Sequence, residues 1–325
     1  MNRNICVCLE FLTAEHRAQI EQTADKCGFS VRFFTPEQDA EARAFLPECE
    51  ILYAHSLELA RSASTALNWY CCSWAGVDPY CRDERIFANP DCQLTNSAGA
   101  YGVTIAEHLV MVTLMLLRRM PEFEQVIRNR NWSEQLPMRS ILGSEITVLG
   151  AGNIGSTFAQ RAKALGAARV VGVSRSGKIR ESVFDELLPI SRLDEILPRT
   201  HILAMALPDT RDTKNLLSRE RIALLPQDAV VVNVGRGSAL DQDALMDALN
   251  SGALAGAALD VMIPEPLPKD HPLWDTKNLI LTPHVAGNMS LGYTCDCNVR
   301  MFCEDLERYA AGQPLKHLVD RKLGY

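Results

Sequence analysis

The chain has 325 residues, enough for two domains with sizeable cores, and its 47% apolar and 22% charged content is that of a globular protein. A net charge of −7 offers no basic footprint for DNA or RNA, so an anionic ligand must be met by local positive groups. The most apolar stretch, Val103 to Leu117, holds Glu107 and His108 and is too short to span a bilayer, so it reads as a buried helix.

From the start, the chain alternates. It lacks the long apolar region of a signal peptide, and Ile5–Leu9 reads as a first strand. Thr13 caps a helix that Gly28 ends, Val31–Phe34 is strand, and Glu37–Phe45 is weakly helical. Strands follow at Ile51–Ala54 and Asn68–Cys72, then a turn-rich piece from Ser73 to Pro79. Alternation of this kind implies a small parallel α/β domain. The eleven cysteines show no CxxC spacing, an odd count does not close into bridges, and no metal site is expected. They read as reduced structural thiols of a cytoplasmic protein. Beyond the Val103–Leu117 region comes an irregular stretch with Pro121, Trp132 and Pro137.

A second series begins at Ile146. An apolar run to Leu149 leads into the sequence GAGNIG, Gly150 to Gly155, and a helical pattern follows with Ile154, Phe158, Ala162 and Leu165 on one face. Strand, glycine turn and helix in that order are the context a dinucleotide fingerprint requires: the first glycine for the turn, the second for approach of a pyrophosphate, the third for packing. The helix N-terminus offers unpaired N–H groups to the phosphates. Strands at 146–149, 170–173, 201–206, 230–234, 255–260 and 279–282 predict a six-stranded, doubly wound parallel sheet. A final helical segment carries Met301, Leu306 and Tyr309 on one face.

In such sheets ligands lie beyond the carboxyl ends of the strands, so the strand exits are where chemistry belongs. Arg236 stands between Gly235 and Gly237 after one strand, Glu265 between Pro264 and Pro266 after the next, and His284 after the last. Each alone is more often a surface or structural residue; three at equivalent exits of one nucleotide fold are not. Hydride transfer to a carbonyl needs a proton donor, and histidine titrates near neutral pH. A carboxylate beside it favours the imidazolium, and a guanidinium forks a carboxylate and polarises the neighbouring carbonyl. A 2-oxo acid is the substrate that fits this set.

At these residues the chain resembles the D-isomer-specific 2-hydroxyacid dehydrogenases. The motifs are GAGNIG, Leu207-Pro208 with Thr213, Val232 to Gly237, Ala257 to Asp260 with Glu265, and Thr282 to Gly287. The resemblance implies a Rossmann domain over 98–290 and a smaller, discontinuous flavodoxin-like substrate domain, 1–97 with 291–325. It assigns the acid/base to His284, its partner to Glu265 and substrate binding to Arg236. The backbone of Trp74, Ala75, Gly76 and Val77 is implied for the substrate carboxylate. Cofactor contacts are implied at Gly150, Gly152, Asn153, Ile154, Ser174, Arg175, Ser176, Leu207, Pro208, Thr213, Val234, Asp260, His284 and Gly287. It also implies a homodimer built on the 103–119 helix, and Glu265 argues against the formate dehydrogenase branch.

The second strand departs from the NAD-specific pattern. It ends Val173-Ser174-Arg175-Ser176-Gly177-Lys178, with no carboxylate for the ribose hydroxyls and an arginine where a 2′-phosphate would lie. NADP(H) is therefore the expected cofactor and NAD(H) the alternative, the competing reading being a plain polar turn. His108 and His271 read as scaffold, while His55, after a strand of the first domain, is a candidate for the rim of the cleft. Resemblance to the family subgroup with such an arginine-bearing second strand implies reduction of glyoxylate or hydroxypyruvate as the activity. The rivals are a dehydrogenase of a bulkier acid with Trp74 shaping its pocket, or a nucleotide-sensing corepressor on the same fold.

Overall fold

A computed structural model describes residues 3–132, 135–178 and 183–324. The chain divides into two compact units, Met1–Tyr101 with Met289–Tyr325, and Gly102–Asn288. In the first, β1 (Asn4–Cys8), α1 (Ala14–Lys26), β2 (Ser30–Phe34), α2 (Asp39–Phe45), β3 (Cys49–Ala54), α3 (Leu57–Ser62), β4 (Trp69–Cys72), α4 (Asp78–Arg82) and β5 (Gln93–Thr95) alternate. All pairs are parallel and the order is β2-β1-β3-β4-β5, the flavodoxin-like arrangement. Thr13 caps α1 as expected, its hydroxyl accepting the His16 N–H at 3.2 Å.

The second unit holds α5 (Gly102–Leu117), α6 (Met120–Arg128), β6 (Glu145–Leu149), α7 (Asn153–Ala164), β7 (Arg169–Ser174), β8 (Glu186–Pro189), α8 (Leu193–Ile196), β9 (Ile202–Met205), α9 (Arg219–Ile222), β10 (Val230–Asn233), α10 (Gln242–Ser251), β11 (Gly256–Leu259) and β12 (Leu279–Leu281). Its order, β12-β11-β10-β9-β6-β7-β8, is the Rossmann sheet extended by one strand. Every exit that the sequence analysis singled out lies on its carboxyl edge. The last helix, α11 (Gly292–Ala310), returns to the first unit.

Three differences from expectation have local causes. The sheet has seven strands because Glu186–Pro189 forms one, and its proline is tolerated at an edge where no ladder N–H is needed. The stretch expected to be irregular contains α6, since Pro121 stands in the first turn, where its missing N–H breaks no bond. β5 is only three residues long, too short for periodicity to reveal. Among the described residues, no helix is long and apolar enough to cross a membrane, and all eleven cysteines are free.

The first unit is tied together by a buried polar knot. Asn298 on α11 accepts the Tyr53 and Ser97 hydroxyls at 2.8 Å each and donates to the Ser73 carbonyl at 2.8 Å. Around it, Phe302 stacks on Tyr53 and Trp69 with centroids 4.3 and 5.4 Å apart. Asn298→Ala leaves these groups without their partner, and we expect a loss of about 2–4 kcal/mol in denaturant unfolding. A loss under about 0.5 kcal/mol, the range of an ordinary surface substitution, would show that the knot does not hold the helix.

Candidate active site

The nucleotide end begins where β6 turns into α7. Gly150 has φ +97°, and a Cβ there would run into the Ala206 carbonyl of the neighbouring strand exit. Gly155 lets the helix sit on the turn, because a Cβ would strike the Gly150 carbonyl. Gly152 differs: nothing lies within 4 Å of the place its Cβ would occupy. It is the N-cap of α7 and no side chain caps the helix there, so the N–H groups of Asn153 and Ile154 border open space. That cradle fits a pyrophosphate.

At the end of β7, Ser174 Oγ accepts the Gly177 N–H at 3.1 Å. With a lone pair engaged, its hydroxyl hydrogen is left to point elsewhere. Arg175 and Ser176 are exposed beside it. After β9, Leu207 is buried and Thr213 closes the loop by donating to the Pro208 carbonyl at 2.6 Å and accepting the Thr210 N–H at 2.9 Å. Thr213 thus holds Leu207 and Pro208 in place, and Val234 is buried behind them.

The exit of β10 places Arg236. Fully buried Asn233 braces this loop, donating to the Arg236 carbonyl at 2.9 Å and accepting the Gly235 N–H at 3.0 Å. No role was expected for Asn233; its place three residues before an arginine flanked by glycines was the available signal. The guanidinium Nη1 donates to the Gly235 carbonyl at 2.7 Å.

Asp260, for which a cofactor contact was expected, is 3% exposed, and its carboxylate bonds to the His284 loop. It accepts the N–H groups of Val285 at 2.9 Å and Ala286 at 3.0 Å and the Thr282 hydroxyl at 2.5 Å. Its carbonyl takes the His284 N–H at 2.9 Å. His284 itself has φ +55°, a conformation that costs a non-glycine residue about 1–2 kcal/mol. Gly287 follows at the end of this loop. His108, read as scaffold, lies on α5 with Nε2 3.3 Å from the Thr282 hydroxyl.

His284 Nδ1 lies 2.8 Å from Glu265 Oε2, and Glu265 Oε1 accepts the Met262 N–H at 2.8 Å. The hydrogen bond to Glu265 raises the His284 pKa above its ordinary value, against burial and the positive charge of Arg236. Burial lifts the Glu265 carboxyl, but the bonds from His284 and Met262 outweigh it and the net shift is downward. Arg236 acts electrostatically on both, so the three expected residues share one locality. With Nδ1 engaged, Nε2 is the ring atom left to give or take a proton. Among the described residues, no cluster of metal-ligating side chains occurs.

In the first unit, the 73–77 turn has its carbonyls directed inward. Those of Ser73, Trp74 and Ala75 accept from Tyr101 and Asn298, from the Ser97 N–H, and from Asn96. Trp74 is 48% exposed and Val77 buried.

A Rossmann sheet with an imidazole–carboxylate pair and an arginine at its carboxyl edge defines a nicotinamide-dependent oxidoreductase. The profile of the D-isomer specific 2-hydroxyacid dehydrogenase NAD binding domain matches residues 110–286. The chain belongs to that family. It is similar to a glyoxylate reductase of Aeropyrum pernix, 33% identical over 244 residues, covering 71% of this chain and 70% of the relative. Among solved structures, a family member from Aeromonas salmonicida is 31% identical, with a TM-score of 0.82 over 99% of this chain and all of that one. An NADPH-dependent glyoxylate/hydroxypyruvate reductase of Sinorhizobium meliloti, solved with NADP and sulfate, is 26% identical, with a TM-score of 0.81 over 99% of this chain and 100% of its own.

Glu265→Gln removes the largest cause of the raised His284 pKa while burial and Arg236 continue to lower it. The imidazolium should then lose its proton at lower pH than in the native protein, read from the His284 ring protons by NMR. An unchanged titration would mean that the pair does not set the proton affinity.

Proposed function

We propose that this protein is an NADPH-preferring reductase that converts a small 2-oxo acid, glyoxylate or hydroxypyruvate in first place, to the D-2-hydroxy acid. The observation that carries the proposal is the His284–Glu265 pair at 2.8 Å with Arg236 acting on both. Bound nicotinamide supplies the hydride. His284, held protonated by Glu265, gives a proton from Nε2 to the carbonyl oxygen, and Arg236 forks the carboxylate and polarises the adjacent carbonyl. The N–H groups of Ala75, Gly76 and Val77 are assigned to the substrate carboxylate as well, a role supported by the inward-facing carbonyls of that turn. Gly152, Asn153 and Ile154 receive the pyrophosphate. Asp260, Asn233 and Thr213 hold the loops that present the reacting groups.

The turn after β7 supports the NADPH preference. Ser174 has a hydroxyl hydrogen to donate, and Arg175 and Ser176 stand exposed with no carboxylate in 174–178 to repel a 2′-phosphate. One charge-assisted contact of about 1.5–3 kcal/mol corresponds to tens- to a hundredfold.

A homodimer is part of the same proposal. Exposed apolar side chains, Met111 on α5, Ile127 on α6 and Leu142 beyond them, belong to the second unit, and a second copy of this chain is the occupant that fits them. Eleven unbridged thiols, most of them buried, support a reducing cytoplasmic location.

His284→Ala should lower the reduction rate by about 10²–10⁴-fold while NADPH still binds; near-native turnover would remove His284 as the acid. Arg236→Lys should raise KM and lower kcat together, because a point charge cannot reproduce the planar fork. A native KM would place the anchor elsewhere. For the cofactor, kcat/KM should favour NADPH in the native protein and NADH in Ser174→Asp with Arg175→Ala. Equal native values would identify the segment as a plain polar turn.

A further inference from the structure

The carboxyl edge of the first sheet carries a cluster not used above. Glu10 follows β1, His55 follows β3 and Trp74 follows β4, and these strands are adjacent in the order β1-β3-β4. That edge is where open parallel sheets receive ligands. The His55 ring stacks on the Trp74 indole, with centroids 4.6 Å apart and planes 11° from parallel. Its Nδ1 meets Ser73 Oγ at 3.0 Å and its Nε2 faces Glu10 Oε2 at 3.6 Å. The imidazole is thereby fixed on three sides. It backs the half-exposed indole next to the 75–77 backbone and has the Glu10 carboxylate at its far nitrogen.

His55 does not neutralise Glu10. Burial lowers the His55 pKa, against the raising influence of Glu10, so the ring is neutral at neutral pH. His55 is the one ion-pair partner of Glu10 among the described residues, and the Glu10 side chain is 52% exposed. Among the described residues, then, this neutral aromatic stack carries a carboxylate that no lysine or arginine pairs with, an unusual rim for an enzyme of anionic substrates.

We propose that Glu10, seated on the His55–Trp74 stack, is a charge filter for the substrate tail: it admits 2-oxo acids with a single carboxylate, hydroxylated tails included, and rejects those with a second anionic group at the far end. The proposal rests on the 2-oxo acid reading above and on the 75–77 backbone as the seat of the carboxylate. A hydroxyl on the tail can donate to Glu10, whereas a second carboxylate is repelled by it. In a half-exposed setting, one like charge at several ångströms is worth about tenfold in affinity. His55 is a positioning residue here, acting through Trp74 and Glu10.

The test compares kcat/KM for hydroxypyruvate, a monoanion, with that for oxaloacetate, a dianion, in the full-length native protein, Glu10→Gln and Glu10→Lys. The native protein should favour hydroxypyruvate. The ratio should narrow by about tenfold in Glu10→Gln and further in Glu10→Lys, with the change carried by the KM for oxaloacetate. Added salt should narrow the native ratio and leave that of Glu10→Gln in place. A native preference for the dianion, or a ratio unmoved in both variants while hydroxypyruvate is still reduced, overturns the filter alone. No turnover of any 2-oxo acid by the native protein overturns the filter together with the reading it rests on.

Discussion

Asp260 lies at the exit of β11, 3% exposed, and commits its carboxylate to the backbone of the loop after β12. The N–H groups of Val285 and Ala286 and the Thr282 hydroxyl all end on it. Hydrogen bonds to a charged acceptor are worth about 1.5–3 kcal/mol each, more than the ~1–2 kcal/mol that a left-handed histidine costs. The loop therefore keeps His284 at φ +55° and brings its Nδ1 to Glu265. Without that hold, the imidazole would have no fixed direction and Glu265 no proton to stabilise.

The other groups depend on the same edge. In a parallel sheet every strand leaves on one side, so residues distant in sequence converge with no need for direct pairing. Gly150 and Ala206, at the exits of β6 and β9, approach too closely for a Cβ between them. Asn233 fixes the loop of Arg236 from within β10, and Thr213 fixes the one bearing Leu207 and Pro208. The loops of Arg236, of Leu207 and Pro208, and of His284 are each braced by a buried polar side chain, Asn233, Thr213 and Asp260, so Arg236 and His284 are not needed for that bracing.

Much of this was legible before any coordinates. Strand, GAGNIG turn and helix announced themselves by a change of period from apolar run to helical face, and the three strand exits displayed Arg236, Glu265 and His284 because glycines and prolines surround them. What stayed hidden has physical causes. Pro189 disguises β8 and Pro121 disguises the start of α6, each at a place where a missing N–H does no harm. The hold of Asp260 on the His284 loop was also hidden, because its partners Val285 and Ala286 lie 25 and 26 residues away. No local periodicity reports such a contact. The pairing of Glu10, His55 and Trp74 was equally invisible, since it arises only when β1, β3 and β4 become neighbours.

The central claim is that a histidine kept protonated by its glutamate delivers the proton in 2-oxo acid reduction. The pH dependence of kcat/KM for hydroxypyruvate, measured on the native protein with saturating NADPH, tests it most directly. The account predicts an alkaline limb governed by loss of one proton, with its midpoint above 6.5, the ordinary histidine value. A rate that stays flat through the histidine range, or a limb centred below that value, would contradict it.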